Sequence, residues 1–265
     1  MDILVYYLKK IIALFRKQRI NVLYNSDNIL VINKQYDMKI NSNKENEVTV
    51  QTLLKRQYPS LANERLFHEF YFPHRLDYAT SGLMCIPKNK EACKAISSAF
   101  INRESKKYYV AILRGLLSKE VIDVNIAIGE DVREPDIQKM CTADSKYCIK
   151  SRSARTIFVT LDKGLFGNYP ATKVLIRPVT GRRHQIRVHC SYLGHTIVGD
   201  YTYSNRKDTV PCRMFLHSLR LVLPNSIEPI DVESSDPFTG MKEWRIVKNI
   251  NNVDNVTYDK FEDFL

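Results

Sequence analysis

The chain has 265 residues, 44% of them hydrophobic and 26% charged, which is ordinary for a soluble globular protein with a substantial core and excludes a disordered or fibrous one. Lys and Arg number 40 against 29 acidic residues, a formal charge of +11 that points to a polyanionic partner. Six cysteines (Cys85, Cys93, Cys141, Cys148, Cys190, Cys212) show no CxxC or CxxH spacing, so they read as reduced thiols of an intracellular protein, not as a zinc site or a disulfide framework.

The N-terminal "MDILVYYLKKIIALFRKQR" has apolar runs broken by Lys9 and Lys10, too short for a signal peptide or a membrane span. Its basic character is compatible with a mitochondrial presequence, with a helix docked on the domain, or with one lying on a membrane surface. Residues 1–20 are therefore set apart as an extension. Next, "ILVINK" (29–34) predicts a strand, residues 41–50 read as a polar loop, and "VQTLLKRQYP" predicts a helix ending before Pro59. "GLMCIPK" reads as a buried strand, and "NKEACKAISSAFINRE" as a helix capped by Asn89. "KKYYVAILRG" predicts a strand closed by Gly115, and "VIDVNIAIG" one further strand. Residues 129–153 look like an irregular charged loop or insertion. "ARTIFVTLDKGLFGNYPATKVLIRPVTG" predicts two antiparallel strands, and "TGRRHQIRVHCSYLGH" a helix with Thr180 near its start and Gly194 just past its end. "FLHSLRLVLP" and "EWRIV" supply late strands. Many strands with few helices and no βαβ alternation predict an α+β fold with a mixed, largely antiparallel sheet, one domain over residues 21–250, followed by an acidic tail, 251–265.

The positive charge is uneven. Between Val174 and Arg220 stand eight basic residues, against only Asp200 and Asp208. Within "GRRHQIRVH", a helix would place Arg183 and Arg187 on one face and Gln185 and His189 on another. Ile186 and Val188 lie between them, so the helix is expected to be partly buried. A partly buried arginine needs an anion, either a phosphate or a carboxylate of the protein itself. His184 and His189 are five apart and do not face one another as zinc ligands would.

The second dense stretch is "HRLDYATSGLM", residues 74–84. It is not an aspartic-protease turn, because that chemistry needs two carboxylates sharing a proton and no second such turn exists. His74 and Asp77 could form half of a metal site, but no other half is apparent. The remaining reading is a single ionised aspartate, acting as nucleophile or electrostatic stabiliser, held deprotonated by an arginine from elsewhere in the chain. Such a group suits attack at a sugar anomeric carbon or an electrophilic base carbon.

Taken together, "HRLDYATSG", "KKYYVAILRG" and "RPVTGRRHQIRVHCSYLGHTIVGDYTY" resemble the three linked motifs of the RluA-type pseudouridine synthases, over residues ~24–240. The loop "GLFGNYPATKV", the "RMFLHSLRL" strand and the later "DPF" place the resemblance nearest a eukaryotic subgroup of RNA pseudouridylate synthase domain-containing proteins. The resemblance implies the pseudouridine synthase fold, here without the S4-like module of many relatives, and isomerisation of uridine to pseudouridine in RNA without a cofactor or metal. It implies that Asp77 is the catalytic nucleophile and that Tyr109, in the pattern formed with Lys107 and Ala111, packs on the flipped uracil. It implies that Arg187 pairs with Asp77 and that Arg75 enters the RNA stack where the uridine leaves. His74, Arg182, Arg183 and Gln185, within the same motifs, are expected to contact RNA. The implied partner is a loop or single-stranded uridine of tRNA, rRNA or mRNA, bound by a monomer in the cytoplasm or mitochondrion. An RNA-binding paralogue that has lost activity is the alternative.

Overall fold

Ile29, Leu30, Val31 and Ile32 form strand β2 (Ile29–Lys34) because four consecutive apolar, mostly β-branched residues suit an extended segment covered on both faces. All four are fully buried, each stabilising the fold by about 1.5–3 kcal/mol relative to exposure. The computed structural model describes residues 19–44 and 47–264; the expected N-terminal extension lies almost wholly outside them. Among the described residues, no helix is long and apolar enough to cross a membrane.

The chain builds two compact units. The first comprises the described residues up to Ser105 together with Val222–Ser234; the second comprises Lys106–Leu221 and the residues from Ser235 onward. The sequence reading of one domain over 21–250 saw no boundary, and there is a physical reason. The chain passes between the units three times, at residues in or beside regular strands, so no Gly- or Pro-rich linker marks the division.

In the first unit β1 (Asn21–Asn25), β2 and β3 (Ser81–Pro87) form an antiparallel meander, with Ile32 opposite Met84 and Asn33 opposite Leu83. Helix α1 (Val50–Gln57) starts in a capping box between Thr49 and Thr52, and buries Val50, Leu53 and Leu54. Helix α2 (Lys90–Ile101) is capped by the Asn89 side chain, which accepts from the Ala92 N–H. A late segment completes the unit: Glu228 accepts from the hydroxyls of Tyr24 and Ser26 and from the Asn28 amide.

The second unit is built on a long hairpin, β9 (Arg155–Phe166) and β10 (Tyr169–Pro178), joined at Gly167–Asn168. Gly167 has φ of 61°, a left-handed conformation that a tight turn takes most easily at glycine. Strand β4 (Lys106–Arg114) pairs along β10, while β5 (Val121–Asn125) and β13 (Trp244–Asn249) pair with successive portions of β9. Strand β11 (Leu216–Leu223) and β12 (Ile230–Glu233) follow in sequence. Phe166 meets Phe215 edge-to-face and Phe238 lies tilted against Phe215, with centroids 4.7 and 5.2 Å apart, all three buried.

Three expectations change. "VIDVNIAIG" is not one strand: β5 ends at Asn125, and β6 (Ile128–Asp131) belongs to a separate three-stranded sheet with β7 (Met140–Thr142) and β8 (Cys148–Arg152). Residues 129–153 are therefore ordered. Gly129 sits where β8 bulges, and a Cβ there would overlap the Ile149 carbonyl and the Cys148 thiol. Alternation misses this sheet because its strands are three to five residues long. The acidic tail, finally, is part of the second unit. Tyr258 and Phe261 pack edge-on against Tyr108, and Glu262 pairs with Lys106 and Arg177.

Candidate active site

The loop carrying Asp77 is fixed from below. A buried lysine, Lys34 at the end of β2, donates from Nζ to the backbone carbonyls of Gln35 (2.9 Å), Met38 (2.9 Å) and Tyr78 (3.1 Å). Such an ammonium is tolerable only because the carbonyls replace its water. The Tyr78 carbonyl also accepts from the Met38 N–H, and the Asp77 carbonyl accepts from the Thr80 N–H at 3.1 Å, closing a turn. Thr80 and Ser81 are buried, and Gly82 has φ of 115°, a value that side chains disfavour. The hydroxyl-hydroxyl-glycine turn thus leads the chain from the loop into β3.

His74, expected at the RNA surface, is placed otherwise. Its Nε2 accepts from the Cys85 N–H at 2.8 Å, which puts the ring proton on Nδ1, and its ring lies 4.8 Å from Phe100. It ties the loop to β3 and α2. Leu76 is buried beside it, and Asp77 is half-buried. Arg75 is exposed and makes no hydrogen bond or ion pair among the described residues, so it is not the cation that the local sequence first offers to Asp77.

In the second unit, β4 turns Tyr108 into the core and leaves Tyr109 half-buried on the opposite side. Lys107 shares that side, and burial lowers its pKa. Helix α3 (Gln185–Tyr192) begins later than the sequence suggests, at Gln185 after His184, which has φ of 54°. Arg183 therefore precedes the helix, and the expected face shared by Arg183 and Arg187 does not exist. Gly194, with φ of 77°, ends the helix as expected.

Gln185 and His189 do share a face, and both reach β9. Gln185 Nε2 donates to the Arg155 carbonyl and the Thr156 hydroxyl (both 2.9 Å), while its Oε1 accepts from the Thr180 hydroxyl (2.6 Å) and the Arg182 N–H (3.0 Å). Both donors and both lone pairs are used and the residue is buried, so Gln185 anchors the helix instead of facing RNA. Arg182 is half-buried, with Nε on the Ser153 carbonyl; Arg183 is exposed and has no hydrogen bond or ion pair among the described residues.

His189 completes the anchor, 2.8 Å from the Thr156 hydroxyl and 3.1 Å from the Ile126 carbonyl. Burial pushes its pKa down to about 4, from 6.5. In the unfolded chain it takes up a proton near 6.5, so between pH 6.5 and 4 the unfolded state binds more protons and stability falls with acidification. The loss is on the order of 3 kcal/mol by pH 4. Urea titrations of wild type and His189→Gln across this window are expected to show a shallower acid loss in the variant.

Arg187 has the anion that its burial demands, and within its own unit that anion is a carboxylate of the protein. Its Nε and Nη2 donate to Asp200 Oδ2 (2.7 Å) and Oδ1 (2.8 Å), a bidentate pair with neither side chain more than 8% exposed. The Tyr203 N–H also donates to Asp200 Oδ1, and the guanidinium lies 4.9 Å from the centre of the Tyr203 ring. The Tyr203 hydroxyl in turn meets His184 Nδ1 (3.0 Å) and accepts from the Met140 N–H (3.1 Å), so the small sheet helps to hold this network. Asp200, Tyr203, Thr156 and Lys34 were not singled out from the sequence; the only signal was Asp200 as one of two acids in a basic stretch. Gly199 precedes Asp200 with φ of 75°, and a Cβ there would overlap the Arg213 carbonyl. Gly199→Ala is expected to lower the thermal midpoint through at least about 1–3 kcal/mol of strain, as read by calorimetry.

Much of the basic stretch is likewise spent internally. Arg177 pairs with Glu262, Arg206 with Glu134, and Arg213 donates to the Met214 and Leu216 carbonyls. Among the described residues no group of three His, Cys, Asp or Glu is placed to hold a metal.

Residues 28–192 match the family model described as RNA pseudouridylate synthase. The chain is 39% identical over 242 residues to RNA pseudouridylate synthase domain-containing protein 1 of Danio rerio, covering 90% of this chain and 83% of that one. It is 31% identical over 205 residues to the dual-specificity RNA pseudouridine synthase RluA of Vibrio parahaemolyticus, covering 76% of each. Among solved structures, Human RNA Pseudouridylate Synthase Domain Containing 1 superimposes with a TM-score of 0.82 at 33% identity, covering 92% of this chain and 95% of that one.

Proposed function

Since the chain belongs to the RNA pseudouridylate synthase family, and is thus an isomerase acting on RNA, we propose that Asp77 is its nucleophile and works on a uridine turned out of the RNA. The carboxylate adds to the nucleotide, the N1–C1′ bond breaks, the base turns, and C5 bonds to C1′. C5 then loses its proton, N1 gains one, and Asp77 is released unchanged. No electrons enter or leave, so the reaction requires no redox cofactor. We assign Tyr109 to the uracil face and Arg187 to holding the charge on Asp77, roles that rest on the match to the family's motifs. Target uridines lie in loops or single strands, because an A-form duplex hides its bases.

The observation that carries this reading is the contrast within four residues of one loop. His74 and Leu76 are fixed inward, Asp77 is half-buried, and Arg75 stands exposed without a partner among the described residues. A rigid loop with one outward arginine suits a side chain that replaces an extruded base, a step that costs the RNA about a few kcal/mol. We assign Arg183, exposed and without a hydrogen bond or ion pair among the described residues, to an RNA phosphate. The test is to incubate the protein with cellular RNA and map new pseudouridines, with Asp77→Ala as control; absence of Asp77-dependent pseudouridine sinks the assignment.

A further inference from the structure

The loop ahead of the Asp77 motif carries an aromatic that the proposed chemistry does not use. Phe67 is 84% exposed, although backbone hydrogen bonds on either side of it close its loop. The Asn63 N–H donates to the Glu69 carbonyl (2.7 Å), the Leu66 N–H to the Asn63 carbonyl (2.9 Å), and the Glu69 N–H to the Leu66 carbonyl (3.0 Å), closing a compact loop. The Asn63 side chain accepts from the Arg65 N–H, and Glu69 holds a left-handed conformation with φ of 59°. Helix α1 braces this loop from outside, since Lys55 pairs with the Glu69 carboxylate and Gln51 donates to it. The His68 ring meets Phe67 edge-on at 4.7 Å and fixes its tilt. Around the ring lies a shallow concavity lined by Gln51, Glu64, Arg65, Leu66, Phe67 and Glu69. Arg65 and Glu64 are exposed, and neither side chain has a hydrogen bond or ion pair among the described residues.

A phenylalanine held outward on a rigid loop loses apolar burial that a collapsed loop would keep. We propose that Phe67 is a stacking platform for an unpaired nucleobase of the RNA that flanks the target uridine. Every base has a π face, so such a platform binds without reading sequence. The Glu64 carboxylate keeps phosphate out of the concavity, Glu69 being paired with Lys55, while Arg65 beside it takes the adjoining backbone phosphate. This inference rests on RNA being the substrate, and the experiment separates the two.

Binding of the full chain to a labelled, mixed-sequence, 12-nucleotide single-stranded RNA and to a 12-base-pair duplex is followed by fluorescence anisotropy. Phe67→Ala is expected to weaken single-strand binding by at least about five-fold and to leave duplex binding unchanged, while Phe67→Tyr stays within about two-fold of wild type. Arg65→Ala lowers the slope of log affinity against log salt by about 0.7, the value for one phosphate on a single strand. Single-strand affinity unchanged in Phe67→Ala overturns the proposal and assigns the ring to a protein contact; equal weakening on duplex overturns it as well. Pseudouridine formation by wild type on cellular RNA is read alongside. Its absence counts against the catalytic reading, and the anisotropy still decides on Phe67.

Discussion

Asp77→Ala and Asp77→Asn are both expected to lower pseudouridine formation by at least about 10⁴-fold, the scale on which an enzyme loses its nucleophile. The asparagine keeps the shape and removes only the charge and the attacking oxygen pair, so equal losses in both variants locate the effect in chemistry. Both variants should still fold. The loop takes its shape from the Tyr78 and Asp77 carbonyls, the inward His74 and the buried Lys34, none of which depends on the Asp77 side chain. The denaturation free energy is expected to fall by at most about 1–3 kcal/mol, the cost of removing one partner of a buried group, and by less than in Asp200→Ala. Single-turnover assays on cellular RNA, with product mapped at nucleotide resolution, measure the first quantity and urea titration the second. Pseudouridine made at a near-normal rate by Asp77→Asn refutes the assigned role.

Asp200→Ala is expected to be the most destabilising of the changes considered, by about 3–5 kcal/mol, because it leaves the buried Arg187 guanidinium without the carboxylate that holds its Nε and Nη2. At about 2–4 °C per kcal/mol for a chain of this size, the thermal midpoint falls by roughly 10 °C. The double variant Arg187→Met with Asp200→Leu removes both charges, and should be clearly more stable than Asp200→Ala alone. Calorimetry on the three proteins decides. A midpoint for Asp200→Ala within about 2 °C of wild type shows that the pair does not carry this load.

Strands and helices with strong periodicity were legible in the sequence. Ile29–Lys34 and the Asn89-capped helix have the bounds that their patterns imply, since apolar spacing and a side-chain cap are local causes. The three-stranded sheet was not legible, because strands of three to five residues around Gly129 leave no period to read. The start of α3 was misplaced because Thr180 looks like a cap, whereas its hydroxyl serves the Gln185 side chain five residues on. Of the site, the motif residues stood out, but their supports did not. Lys34 looks like any strand-end lysine until the fold wraps three carbonyls around it, and Asp200 looks like a stray acid until the helix turns Arg187 toward it. Polar residues inside a motif invite a ligand, yet Gln185 spends its hydrogen bonds on the protein and His74 Nε2 accepts from the Cys85 N–H.

The divided first unit has a consequence for biosynthesis. Asp77 is translated before residues 106–221, yet the unit that holds it also needs residues 222–234, where Glu228 gathers Tyr24, Ser26 and Asn28. At roughly 5–20 residues per second, residues 106–221 keep the ribosome occupied for on the order of ten seconds in between. The β1–β3 meander therefore waits, without the segment that Glu228 ties to Tyr24, Ser26 and Asn28, while residues 106–221 emerge. In the growing chain the scaffold around Asp77 is begun before residues 106–221 and finished after them.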